Sequence, residues 1–208
     1  MSPRGRSAAQ GKRAAILDAA LRLFGQYGYK RTSIDDIAAE ADIAKGSIYL
    51  SFASKEEIFR ALCEDIVQRI EAEAVRARDS DAPLPDRIVA ILQAKFGFYF
   101  ATVRSSPHAV ELMDSKNQLS AGLFEKLDRR YQRILREALE EASNRGEIAP
   151  QRRGLSPAGV VELLLAGAYG IEHSAASSSI LQRRMSELVK VILAGICPEE
   201  EKPTPGTQ

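Results

Sequence analysis

The sequence predicts an all-α chain of about nine helices, and three observations carry that expectation. Apolar residues recur at three- and four-residue spacing along most of the chain, no stretch alternates with period two, and the breaks between periodic stretches hold capping residues and prolines suited to helix starts. Ile16, Ala19, Ala20, Leu23, Phe24 and Tyr27 form one stripe of a helix over about 10–27, which Gly28 closes as a C-cap. Ser33 followed by Asp36 is a capping-box pattern that opens a short helix with Ile34, Ile37, Ala38 and Ala41 on its apolar face. A second short segment, 45–50, is anchored by Ile43, Ile48 and Phe52. Ser54-Lys55-Glu56-Glu57 is another capping box and begins a long helix, about 55–77, with Ile58, Leu62, Ile66, Ile70 and Ala74 facing inward.

A stretch rich in Asp and Pro, 79–85, separates these elements from the rest. Pro85, Pro107 and Pro157 each suit a first helical turn, the last two preceded by Ser106 and Ser156 as caps, so helices are expected over about 86–104, 107–114 and 157–174. Leu123, Leu127, Tyr131, Ile134, Leu135 and Ala138 mark a long amphipathic helix ending at Asn144-Arg145-Gly146. Leu181, Met185, Leu188, Val189, Ile192 and Ile196 mark a last one over about 180–196. The polar, Pro-rich segment 198–208 is expected to be disordered.

Composition narrows the function classes. The chain has 208 residues, 45% of them hydrophobic, and a net charge of +1, so no global basic field announces a polyanionic partner. The charge is uneven, however: the first 32 residues carry seven Lys and Arg against the single acid Asp18. Two cysteines without CxxC spacing exclude a disulfide framework and a Cys-based zinc site, and two histidines make a poor metal site, so no metal and no cofactor are expected. The longest nearly uncharged apolar run, 158–171, is short of the roughly 20 residues that span a bilayer. The N-terminal stretch has no apolar core of a signal peptide, which leads to the expectation of a cytoplasmic protein without a membrane partner. Phosphate-loop, dinucleotide, HExxH and GxSxG motifs are absent, and a non-enzymatic role is expected.

The segments 34–40 and 45–50 are too short to stand alone as helices in water, so they must pack. A compact three-helix unit with one short helix projecting is the helix-turn-helix solution. Thr32 and Ser33 bring hydroxyls and unpaired N–H groups to a helix N-terminus, a ready anion site. Gly46 costs about 1 kcal/mol of helix propensity, which makes sense where a nucleic-acid backbone must come close. Lys55 at a helix start opposes the dipole, so phosphate binding explains it better than stability does.

Residues 13–59 resemble the DNA-binding domain of the tetracycline-repressor (TetR) family of transcriptional regulators. The matching features are the IL-AA-LF-GY stretch, Thr32-Ser33, Ile37-Ala38, Lys45-Gly46-Ser47-Ile48-Tyr49, Phe52 and Lys55-Glu56. The resemblance implies a helix-turn-helix domain over 1–54 with a flexible basic arm, 1–9, and a ligand-binding and dimerisation bundle over 55–197. It implies a homodimer on double-stranded DNA, most simply a repressor released by a small-molecule effector. By position, Thr32, Ser33, Tyr49 and Lys55 would contact phosphates, Lys45, Gly46 and Ser47 would face the major groove, and Arg4 and Arg6 would reach a minor groove. Three positions depart from the family pattern: Asp42 stands at the usual turn glycine, Ala44 at the usual Ser/Thr cap, and Ser51 at a common His or aromatic position. Asp tolerates the left-handed turn conformation, and Ala44 forgoes about 1 kcal/mol of capping.

In the second half, segment 157–174 is apolar nearly all round and carries Gly159, Gly167 and Gly170, as a helix buried on several sides or at a dimer interface would. Phe96, Phe98, Tyr99 and Phe100 fall within five positions and point several ways. A cavity lined by Phe96, Tyr99, Phe100, Met113, Phe124, Tyr131 and Tyr169, with His108, Glu111 or His173 as polar handles, is therefore a candidate effector site beside ordinary core packing. The rival function is a helical carrier or interaction protein that has lost DNA binding; retained Lys45, Gly46, Ser47 and Tyr49 argue against it.

Overall fold

The computed structural model describes residues 3–103, 106, 108 and 122–198, with side chains from Gln10 onward. The helix expected over 107–114, candidate residues Glu111 and Met113, and the tail 199–208 lie outside the described residues. Among the described residues every regular element is helical: α1 (Pro3–Tyr27), α2 (Ile34–Glu40), α3 (Lys45–Tyr49), α4 (Lys55–Arg78), α5 (Leu84–Leu92), α6 (Phe98–Val103), α7 (Leu123–Asn144), α8 (Pro157–Ser174) and α9 (Ser178–Ile196). A π-helical turn, Gln93–Gly97, joins α5 to α6, so the single helix expected over 86–104 runs from Leu84 to Val103 with a π turn inside it. Counted as one rod, that run leaves eight helices, with a 3₁₀ turn at Pro150–Arg153. None of them is long and apolar enough to cross a membrane.

The caps read from the sequence form. Gly28, at φ 85°, ends α1 with its N–H on Phe24 O at 2.9 Å. Ser54 Oγ accepts from Glu57 N, and the Glu57 carboxylate reaches back to Ala53 N. Ser156 Oγ accepts from Gly159 N at 3.1 Å, and Pro157 opens α8. One boundary differs clearly: α1 begins at Pro3, so Arg4 and Arg6 lie on helical backbone where a flexible arm was expected. Pro suits a first helical turn because its missing N–H would be unpaired there anyway.

The chain divides into two compact units. The first comprises the described residues of 1–73 and 98–130. Its core gathers Ile16, Ala20 and Phe24 of α1, Ile37 of α2, Ile48 of α3, Phe52, and Ile58, Phe59, Leu62 and Ile66 of α4, with Phe124 and Leu127 of α7. Ile48 is fully buried, and burial of such a side chain contributes about 1.5–3 kcal/mol, enough to hold a five-residue helix that has no stability alone. Ion pairs Arg22–Glu40 at 2.8 Å and Arg69–Asp18 at 3.1 Å tie α1 to α2 and to α4 on the surface.

The second unit comprises, among the described residues, 74–97 and 131–198. α9 packs on α5 and α8, with Ile88, Ile91, Leu135, Leu139, Val160, Leu164, Leu181, Met185 and Val189 buried. Tyr131, almost fully buried, donates its phenol hydrogen to Ile91 O at 2.6 Å. At Gly167 the two helices α8 and α9 come so close that a Cβ would stand 2.7 Å from both Leu188 methyl groups.

Candidate nucleic-acid interface

The turn between α2 and α3 is built from backbone hydrogen bonds. Asp42 N–H donates to Ala39 O at 3.2 Å and Ile43 N–H to Ala38 O at 3.0 Å, the paired bonds of a Schellman motif. Its left-handed residue is Asp42, at φ 53°, and among the described residues no other non-glycine has positive φ. The motif reverses the chain in four residues and delivers α3 with Ile48 inward. Ala44 sits at the α3 N-cap with no side-chain cap bond, as expected.

α3 is thereby sorted into two faces. Ile48 and Phe52 are buried, and the Arg13 guanidinium lies 4.5 Å from the Phe52 ring centroid, closing that side. Lys45, Gly46 and Tyr49 are exposed, and Ser47 is half-buried. Gly46 has nothing within 4 Å of where a Cβ would be, so its backbone is open to close approach. Leu50, just past Tyr49, is 89% exposed, and sequence reasoning passed it over. The available signal was its place off the Ile43–Ile48–Phe52 stripe.

Lys45 Nζ stands 2.8 Å from Asp35 Oδ1, and the hydrogen bond to that carboxylate holds the Lys45 pKa above its ordinary value. Ser33 caps α2: its Oγ accepts from Asp36 N at 3.1 Å, while Asp36 Oδ2 accepts from Ser33 N and Oγ. Those bonds stabilise the Asp36 anion and lower its pKa. The hydroxyl of Ser33 remains on the surface.

Two residues expected to contact phosphates have hydrogen-bond partners within the fold. Thr32 is 2% exposed, and its hydroxyl donates to Gly28 O at 3.0 Å and Leu23 O at 3.3 Å, closing the end of α1. Lys55 points back into the fold. Its ammonium donates to Tyr29 O and Thr32 O, both at 2.9 Å, and sits 4.5 Å from the Tyr29 ring centroid. Both groups therefore hold the segment before α2 in shape. Tyr29 itself packs edge-on against Phe24 and Phe59, and burial, with Glu56 nearby, pushes its phenol up to about 12.

The candidate effector residues divide between the units. Tyr99, Phe100, His108 and Phe124 belong to the first, and Phe96, Tyr131 and Tyr169 to the second. Phe124 packs in the core formed by α1 to α4. Phe100 is buried as well, and His108 N–H donates to Gly25 O at 3.1 Å. In the second unit Phe96 and Tyr169 meet edge-to-face at 4.9 Å. Lys95, absent from the sequence candidates, is 3% exposed there. Its Nζ donates to Tyr169 Oη at 2.8 Å and lies 5.3 Å from the Tyr131 ring centroid. Hydrophobic periodicity does not flag an inward lysine. The π turn that carries it is the kind of irregularity found at functional sites. Among the described residues no group of three or more His, Cys, Asp or Glu is placed to hold a metal ion.

A short helix pinned by two buried anchors, preceded by a tight turn and presenting exposed polar residues, defines a helix-turn-helix unit. Residues 16–62 match the family model described as bacterial regulatory proteins, tetR family. That match takes in α2, α3 and the turn between them. The chain is 26% identical over 142 residues to the HTH-type transcriptional regulator YhgD of Bacillus subtilis, covering 67% of this chain and 73% of YhgD. It is 29% identical over 133 residues to the HTH-type transcriptional regulator EthR of Mycolicibacterium smegmatis, covering 60% of this chain and 61% of EthR. Among solved structures, SmeT of Stenotrophomonas maltophilia in complex with triclosan shares the fold with a TM-score of 0.68 at 22% identity, over 94% of this chain and all of SmeT.

Proposed function

We propose that the chain is a cytoplasmic, ligand-responsive repressor that binds a palindromic DNA operator as a homodimer and is released by a small molecule. The observation that carries the reading is the sorting of α3, with Ile48 and Phe52 inward and Lys45, Gly46, Tyr49 and Leu50 outward. Lys45 and Ser47 are the base readers, Ser33 and Tyr49 contact phosphates, and Leu50 offers an apolar contact of the kind a thymine methyl takes. Arg4 and Arg6 add positive charge at the start of α1. Thr32 and Lys55 serve as scaffold.

Residues 1–54 carry DNA binding and 55–197 carry dimerisation and the effector. The cluster of Lys95, Phe96, Tyr131 and Tyr169 is the candidate effector contact, and SmeT, seen with triclosan, supports response to a small molecule. For a tenfold loss of operator affinity the effector must favour the released state by about 1.4 kcal/mol.

Selection from random duplexes, repeated at two salt concentrations, tests the reading. The expected result is one enriched inverted repeat whose affinity falls steeply with salt. Tyr49→Ala then weakens binding to all sequences alike, whereas Lys45→Ala relaxes choice at one position of each half-site. Failure to enrich any symmetric site overturns the function; unchanged affinity and selectivity in both variants overturns the residue assignment.

A further inference from the structure

We propose that Asp35 is a positioning residue that makes α3 selective, by holding the Lys45 ammonium as an aimed donor and neutralising its pull on phosphates. The inference rests on α3 being the helix that enters the major groove. Lys45 Nζ is 2.8 Å from Asp35 Oδ1 and 2.9 Å from Oδ2, so one ammonium spans both carboxylate oxygens. The pair links the first turn of α2 to the first residue of α3, in the open: the side chains are 65% and 53% exposed.

Stability does not account for this arrangement, because exposed ion pairs contribute little. Capping does not account for it either, since Ser33 and Asp36 already close the capping box at this helix end. Beside a polyanion, a carboxylate next to the groove-facing lysine carries an electrostatic cost to binding. A benefit in discrimination offsets it. An unpaired lysine is a flexible point charge that any phosphate attracts, and each phosphate it neutralises strengthens binding to every sequence alike. Paired with Asp35, Lys45 has little net charge to offer a phosphate. An ammonium has three N–H groups, and donation to Asp35 Oδ2, with Oδ1 equally close, leaves a remaining N–H aimed away from the carboxylate. A base-edge acceptor, such as guanine O6 or N7, is the chemistry that takes a single aimed donor in the groove.

The test compares wild type, Asp35→Asn, Lys45→Ala and the double variant on the selected operator and on a random-sequence duplex, over a salt series, with circular dichroism confirming that each variant is folded. In Asp35→Asn, Lys45 is released to phosphate. Affinity for the random duplex is expected to rise, and its log–log salt slope to steepen by about 1.8, one further phosphate for each protomer of the dimer, or about twelvefold more loss between 50 and 200 mM salt. The operator-to-random ratio is expected to fall, while Asp35→Glu, which keeps the charge, retains most of it. In the Lys45→Ala background the Asp35→Asn change is expected to leave slope and ratio unmoved. An unchanged slope and ratio in Asp35→Asn overturns the proposal. Equal effects with and without Lys45 also overturn it, since Asp35 would then act on DNA directly. A wild-type chain that selects no operator overturns the functional reading itself, an outcome separate from these.

Discussion

Asp42 holds the tight turn of the helix-turn-helix at φ 53°, a region that a residue with a Cβ enters at a cost of about 1 kcal/mol or more. Glycine enters it freely but loses more entropy on folding, so the two effects partly cancel. Asp42→Gly is expected to raise unfolding stability by about 0.5–1 kcal/mol, seen in a chain of this size as a melting temperature about 1–4 °C higher. An unchanged or lower melting temperature would show that the aspartate side chain compensates for its backbone. Asp42, the missing cap at Ala44 and the capping box of Ser33 were legible in the sequence because their partners lie within five residues. Thr32 and Lys55 were less so: Thr32 bonds Leu23 O nine residues back as well as Gly28 O four back, and the partners of Lys55 lie 23 and 26 residues away, so only the fold brings these groups together.

The helices themselves follow the same rule. Their existence and caps were readable from periodicity, whereas the π turn at Gln93–Gly97 was not, since a single added residue leaves no periodic trace over so short a stretch. The burial of Lys95 depends on Tyr169, 74 positions further along. Close approach was readable at Gly167, though the partner was not. A Cβ there would stand 2.7 Å from both methyl carbons of Leu188 and 3.3 Å from its Cγ, so one leucine bears the whole conflict. Gly167→Ala is expected to cost about 1–3 kcal/mol in urea unfolding, as overpacking does. In a Leu188→Ala background the same change is expected to cost close to nothing, because the obstructing methyl groups are gone. Additive costs in the double variant would place the constraint elsewhere than in the α8–α9 contact.

At the scale of the whole molecule the question is what a second copy supplies. The sequence of α8 is apolar nearly all round, yet in a single chain Leu163 and Tyr169 are each about half exposed, with Ala166 and Gly170 exposed beside them. On α9, Val191 is 73% exposed and Ala194 and Gly195 are open. Leu163, Ala166 and Gly170 follow three- and four-residue spacing, so they form one stripe, small and apolar, that water covers poorly. A five-residue recognition helix reaches only a few base pairs, so a lone chain has weak purchase on DNA. A dimer turns the second half-site into an intramolecular event, which multiplies affinity by about 10²–10⁴ without any new contact. Val191→Glu places a charge on the exposed stripe of α9, within the second compact unit. It is expected to sediment as a monomer with unchanged helicity, to lose about 10²–10⁴ in affinity for the full palindrome, and to bind an isolated half-site as wild type does. A variant that remains dimeric moves the interface off this part of α9, and a monomer that holds the palindrome as tightly as wild type removes dimerisation from the mechanism.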